Sequence, residues 1–287
     1  MNILVTGANG QLGTSIRNIA GDVHNFLFTD VDILDITKYQ DLTRFVYLHN
    51  IDIIINCAAY TNVDRAEQEP HLAQLINATA VENLAKVARQ FDITLIHIST
   101  DYVFGGNDAN IPYTESQATA PLGVYGSTKL AGEQAIIASG CRYIIIRTAW
   151  LYSPYGHNFL HTMLTLTAER DTLNVVFDQV GTPTFAIHLA QVIMHIIDTG
   201  QYNKQGIYHY SNQGACSWYD FAHAIAHLAG NTHCKIYPCH SCEFPSTVKR
   251  PAYSVLDKTL ITKTFGIDIP HWYDALQECM CQMNINN

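Results

Sequence analysis

The chain has 287 residues, 48% of them hydrophobic and 14% charged, with a net charge of −9. A charged fraction below the ~25% of an average globular chain, beside that much apolar content, excludes a disordered polymer and predicts one large α/β domain or a large domain with a small lobe. The negative balance, with no Lys/Arg-rich run, argues against nucleic acid as a partner, and no apolar run approaches the ~18 residues of a membrane span, so no membrane partner is expected either.

Taken in chain order, NILVT (2 to 6) reads as a buried strand that runs directly into TGANGQLG. It carries neither the basic nor the apolar region of a signal peptide, so a cytoplasmic location is expected. Gly7, Gly10 and Gly13 in that turn have the spacing G-x-x-G-x-x-G just before a helical stretch, which suits a backbone that approaches a pyrophosphate closely and offers it helix-terminal N–H groups. The next strand, FLFTD (26 to 30), ends on Asp30, about where such a site needs a carboxylate for ribose hydroxyls. A carboxylate there repels a 2′-phosphate, and TDVDILD holds no Arg or Lys, so NADH is expected to serve at least as well as NADPH.

The third strand, IDIIINC (51 to 57), leads to Ala58 and Ala59, whose small side chains leave room for a nucleotide over the sheet edge. Residues 71 to 91 then place Leu72, Leu75, Ile76, Ala80, Leu84, Val87 and Phe91 on one stripe of a single predicted helix. The strand ITLIHIS (93 to 99) delivers Thr100 to the ligand edge, and VYGSTKLAGE places Tyr125 and Lys129 four positions apart on one helix face. Strand YIIIRT (143 to 148) follows. Alternation of this kind predicts a Rossmann-type doubly wound parallel sheet, with residues 1–150 as the dinucleotide-binding core.

Beyond residue 150 the pattern loosens. NFLHTMLTLTAER, AIHLAQVIMHIIDTG, SWYDFAHAIAHLAG and WYDALQECMCQM read as helices, LNVVFD and IYHYS as short strands, and 231 to 255 as irregular. Residues 151–287 are therefore expected to form mainly a small C-terminal substrate-binding lobe, with some elements returning to the core. Among the eight cysteines, Cys57, Cys141, Cys216 and Cys279 are scattered as reduced thiols would be. Cys234, Cys239 and Cys242, beside His233 and His240, raise a zinc question, but only Cys239 and Cys242 have ligand spacing, so no metal is assigned.

Thr100, Tyr125 and Lys129 are chemically complementary. An adjacent ammonium is expected to bring the Tyr125 phenol toward the working pH range, letting it protonate an alkoxide as it forms. Lys129 can also hold a nicotinamide ribose, and Thr100 can donate to a ketone oxygen.

On these motifs the chain resembles the extended short-chain dehydrogenase/reductases. STDYVF, VYGSTKLAGE, RTAWLY, DQVGTPT and RPAYSVLD closely resemble the dTDP-4-dehydrorhamnose reductase family within them, over nearly the whole chain. The resemblance implies NAD(P)H-dependent reduction of dTDP-4-dehydro-L-rhamnose, a nucleotide sugar, to dTDP-L-rhamnose. It makes Thr100, Tyr125 and Lys129 the catalytic set and places Asp101, Tyr102 and Trp150 at the sugar. Gly7, Gly10, Gln11, Leu12, Gly13, Asp30, Asp35, Ile36, Ala58, Ala59 and Tyr60 would meet the cofactor, although Asp35 also suits a cap for a helix starting near Thr37. Arg250, in the adjacent basic pair Lys249–Arg250, is expected to grip the substrate diphosphate. Some members of that family bridge subunits through Mg²⁺ held by glutamates; Ser15, Ile187 and His188 stand in the corresponding segments here, which leaves monomer or homodimer open. The alternatives are a reductase or epimerase for another 4-keto-6-deoxy nucleotide sugar and a non-enzymatic regulatory subunit of the same fold.

Overall fold

The computed structural model describes residues 1–105, 110–244 and 248–283. The last glycine of STDYVFGG, Gly106, and part of the 231–255 segment lie outside them.

Runs of β-branched residues form the centre of the protein, because such side chains pack well on a sheet covered on both faces. Strands β1 (Asn2–Thr6), β2 (Asn25–Thr29), β3 (Ile53–Asn56), β4 (Thr94–Thr100) and β5 (Arg142–Thr148) are joined by Gly206–His209 in one parallel sheet of order Gly206–His209, β5, β4, β3, β1, β2. The last of these strands is the predicted IYHYS, so the C-terminal half does return an element to the sheet. Side chains alternate across it. Ile3 and Val5 face helices Gln11–Ile19 and Ala186–Asp198, while Leu4 faces Tyr39–Leu48, Ala80–Gln90 and Val124–Ser139. The strand order reverses at β1 and β3, and the crevice at their carboxyl ends is where ligands of such sheets sit.

A third apolar cluster is built by helices Phe159–Glu169, Trp218–Leu228 and Trp272–Gln282, which contribute Leu160, Phe221 and Leu276, packed with Tyr152 and Phe185 of the short strands Leu151–Tyr152 and Thr184–Phe185. Two features differ from the sequence expectations. The irregular segment contains a strand, Lys235–Cys239, paired in parallel with Thr172–Val176. Pro238 is tolerated because this is an edge, where a missing N–H breaks no ladder. The single helix expected over 71–91 is interrupted: Pro70–Gln74 passes through a π-turn at Leu75–Thr79 before Ala80–Gln90. The extra residue of the π-turn shifts the phase of the stripe, so Leu72 and Leu75 stay 42% and 40% exposed while Ala80, Leu84 and Val87 are buried. No helix of the described residues is long and apolar enough to cross a membrane.

Candidate active site

Two hollows lie side by side along the carboxyl edge of the sheet and share Gly10, Cys57 and Ala59. The first, about 490 Å³, is walled by Gly7, Asp30, Leu34, Asp35, Ile36, Ala58, Leu72, Leu75 and Ile76. The exposed leucines before and within the π-turn are therefore pocket wall. The three glycines divide the work. A Cβ on Gly7 would meet the Ala58 nitrogen at 2.5 Å, and one on Gly13 the Ala8 Cα at 2.5 Å, so both serve close packing. Gly7 also needs its φ of 63°. Gly10 is the least crowded of the three, though a Cβ there would still press on the Gly7 carbonyl at 3.3 Å. It precedes a helix with no side-chain cap, which leaves first-turn N–H groups for an anion. Asp30 accepts from the Asn9 and Val31 amides, at 3.1 and 2.8 Å, so it also braces the glycine turn.

The second hollow, about 570 Å³, contains Thr100, Asp101, Tyr102, Tyr125, Lys129 and Trp150, together with Gln11 and Leu12. Helix Val124–Ser139 starts where Glu67 Oε1 accepts the Val124 N–H at 2.7 Å, and Gly126 lets it approach the Tyr102 carbonyl, which a Cβ would meet at 2.2 Å. Tyr125 thereby comes beside Thr100, whose hydroxyl donates to Asp101 Oδ1 at 3.1 Å and accepts the Tyr102 N–H at 3.2 Å. The Tyr102 ring meets Tyr125 edge-on at 5.5 Å.

The electrostatics differ from the expectation for the phenol. Burial pushes Tyr125 up to about 12, opposed by the Thr100 hydroxyl and reinforced by the Asp101 charge. Lys129 does not offset that rise; its ammonium donates to the Ile98 carbonyl at 2.7 Å. Burial lowers Lys129 to about 8, against the opposing carboxylate of Glu133. Desolvation also raises Asp101 to about 6; it is 1% exposed. At neutral pH the site holds an un-ionised phenol beside a buried cation.

Trp150 has a φ of 46°, a left-handed backbone that a bulky residue adopts only where its surroundings impose it. Its ring stacks on Trp218 at 3.5 Å between centroids and 9° between planes. Gly181 makes the room, since a Cβ there would lie 2.6 Å from the Trp150 ring.

A family model described as RmlD substrate binding domain matches residues 1–285. The dTDP-4-dehydrorhamnose reductase of Escherichia coli K12 is 40% identical, with 99% of this chain and 98% of that protein covered. A Clostridium acetobutylicum dTDP-4-dehydrorhamnose reductase crystal structure superposes with a TM-score of 0.93 at 42% identity, covering 99% of this chain and all of that one. The chain belongs to the dTDP-4-dehydrorhamnose reductase family. A Bacillus anthracis dTDP-4-dehydrorhamnose reductase, solved in complex with NADP, gives the same TM-score of 0.93 at 37% identity, covering 98% and 99% of the two chains.

Against the sites that the family resemblance implies, most of the expected residues converge on the two hollows, and three do not line either. Gly13 is packed away, as above. Tyr60 turns its phenol to Glu69 Oε2, at 2.6 Å, while its backbone is held by Asn77 from the π-turn. Arg250 pairs with Asp64 at 2.7 Å and hydrogen-bonds the Tyr102 phenol, so it reaches the cleft through Tyr102. Asp35 caps the turn that precedes helix Tyr39–Leu48, accepting from the Thr37 amide and hydroxyl at 3.0 and 2.7 Å, and that bonding holds its carboxyl below the usual range. In this reductase-family chain Ser15 is fully buried and bonds the Gln11 carbonyl, and His188 meets Glu278 at 2.8 Å. Among the described residues no group of three or more His, Cys, Asp or Glu is placed to hold a metal.

Sequence reasoning missed Trp218, Phe159 and Asn158 on the cleft wall. Asn158 donates to Gln11 Oε1 at 2.9 Å, tying the glycine turn to the C-terminal half. SWYDF showed a helix start in the sequence, and nothing in it pointed to a partner for the indole.

Proposed function

We propose that this chain reduces the 4-keto group of dTDP-4-dehydro-L-rhamnose to give dTDP-L-rhamnose, using NADPH or NADH. The observation that carries the reading is the convergence of Thr100, Tyr125 and Lys129 in a cleft continuous with the Gly10 turn and the adjoining hollow.

The glycine turn at Gly10, the uncapped helix start and the apolar wall of Leu34, Ile36, Leu72 and Leu75 fit a dinucleotide: amides for its diphosphate, apolar side chains for an adenine. When bound, the nicotinamide supplies the hydride. The protein's own part is to fix the ketone and manage one proton. Thr100 turns its hydroxyl from Asp101 to the ketone oxygen, Tyr125 retains its proton until that oxygen becomes an alkoxide and then transfers it, and Lys129 holds a ribose hydroxyl. The stacked indoles of Trp150 and Trp218 wall the sugar-nucleotide side, and Arg250 binds the diphosphate once Asp64 releases it.

An absorbance assay of NADPH and NADH oxidation with a panel of dTDP-linked 4-keto-6-deoxysugars tests this. Turnover with dTDP-4-dehydro-L-rhamnose is expected. NADH should have kcat/KM within about tenfold of NADPH, as expected for a ribose site carrying Asp30. Absence of oxidation with every keto sugar would refute the reading.

A further inference from the structure

Helix Val124–Ser139 carries Tyr125, Lys129 and Glu133 at successive four-residue steps, one above another on the face turned to the sheet. Glu133 is 1% exposed and both its oxygens are held: Oε1 accepts from Ser99 Oγ at 2.5 Å and Arg147 Nε at 2.9 Å, and Oε2 from an Arg147 terminal nitrogen at 2.7 Å. Ser99 precedes Thr100 on β4 and Arg147 lies on β5, so one carboxylate joins the helix of Tyr125 to the strand of Thr100.

We propose that Glu133 is a positioning residue for Lys129, holding its ammonium charged and seated at the floor of the cleft through the Ser99–Arg147 lock. The proposal rests on the reading of Lys129 as part of the catalytic set. As a stability device alone the pair is poor, because buried ion pairs are often replaceable by apolar groups without loss. A service to the neighbouring cation accounts for it better. Lys129 is 2% exposed, and its charge is opposed by that burial. The groups around it are Tyr125 and Glu133 on its own helix, Cys57 after β3, His97 on β4, and Arg147 beyond Glu133 on β5. Burial pushes the Cys57 thiol up to about 12 and the fully buried His97 well below its ordinary value, so both are neutral at pH 7 and Glu133, shared with Arg147, is the carboxylate that opposes the effect of burial on Lys129.

The test is a pH titration of Lys129 by NMR on protein carrying ¹³C-lysine, the signal assigned with Lys129→Met. In Glu133→Gln the Lys129 midpoint is expected to fall by at least about one pH unit, a tenfold change in proton affinity, because removing a neighbouring opposite charge disfavours the ammonium. The alkaline loss of NADH affinity should move down with it. Glu133→Gln leaves Arg147 unpaired and can fail to fold, so Glu133→Gln/Arg147→Met is measured alongside and is expected to shift Lys129 in the same direction. An unmoved Lys129 midpoint in either folded variant overturns the proposal, even if turnover falls. Lack of turnover in the parent overturns the proposed function instead, and the titration still reports on Glu133.

Discussion

Asp101 shows what the site costs the fold. Its carboxyl is 1% exposed, and the hydrogen bonds from Thr100 and Ser254 only partly offset the cost of that burial. Burial raises it from 3.8 to about 6, so the contribution it makes to stability is full below about pH 3.8 and is lost as pH rises through about 6. At neutral pH the protein therefore holds an ionised group where a neutral one would be more stable. Asp101→Asn is expected to gain stability over the parent by about 3 kcal/mol more at pH 7 than at pH 3, at 1.36 kcal/mol per pH unit, while sugar-nucleotide turnover falls. Denaturant melts of both proteins across that range check it; a pH-independent difference would mean the carboxyl ionises as freely folded as unfolded.

At the scale of elements, short pieces place the large side chains. The two-residue strand Val180–Gly181 pairs with Cys216–Ser217, which brings Trp218, first residue of its helix, onto Trp150. Gly181→Ala puts a methyl into the indole, and the stack cannot yield without moving Trp150 from its left-handed backbone. KM for the sugar nucleotide is expected to rise by about tenfold, the equivalent of 1.4 kcal/mol, with NADPH affinity unchanged; an unchanged KM would remove the indoles from the substrate wall. This geometry was not legible in the sequence. Hydrophobic period reported the sheet strands to within a residue or two: β2, read as 26 to 30, spans Asn25–Thr29, and β4, read as 93 to 99, spans Thr94–Thr100. It could not report which distant aromatic meets which, nor the π-turn, whose leucines follow a helical stripe yet face a pocket. The protonation state of Tyr125 was misread for a related reason: spacing brings Lys129 near, but burial of the phenol outweighs it.

Over the whole molecule, the glycine turn and the sheet edge form one side of the cleft, and residues 150–159 with Trp218 and Phe221 close the other. The join is polar. Gln11 is bound to Ser153 and Asn158, and Arg250 to Asp64. The second pair has a half-exposed aspartate, worth at most about 1 kcal/mol. If Arg250 is to receive a diphosphate, it must leave Asp64. Asp64→Asn is then expected to lower KM for the sugar nucleotide by up to about fivefold, the equivalent of that energy, and Arg250→Ala to raise it by about 10- to 100-fold, as expected for a charge-assisted hydrogen bond. Steady-state kinetics on both variants decides; a raised KM in Asp64→Asn would make the aspartate a support for Arg250 and not its competitor.

The central claim, that Tyr125 is the proton donor to a ketone reduced in this cleft, is tested most directly by single-turnover kinetics of Tyr125→Phe with dTDP-4-dehydro-L-rhamnose and NADPH. The phenol lies in the cleft beside Thr100, and burial keeps its proton on it at neutral pH. Its loss should slow hydride transfer by about 10²- to 10⁴-fold, the usual contribution of a general acid, with NADPH binding unchanged. A rate near that of the parent would contradict the claim and return Tyr125 to a packing role beside Tyr102.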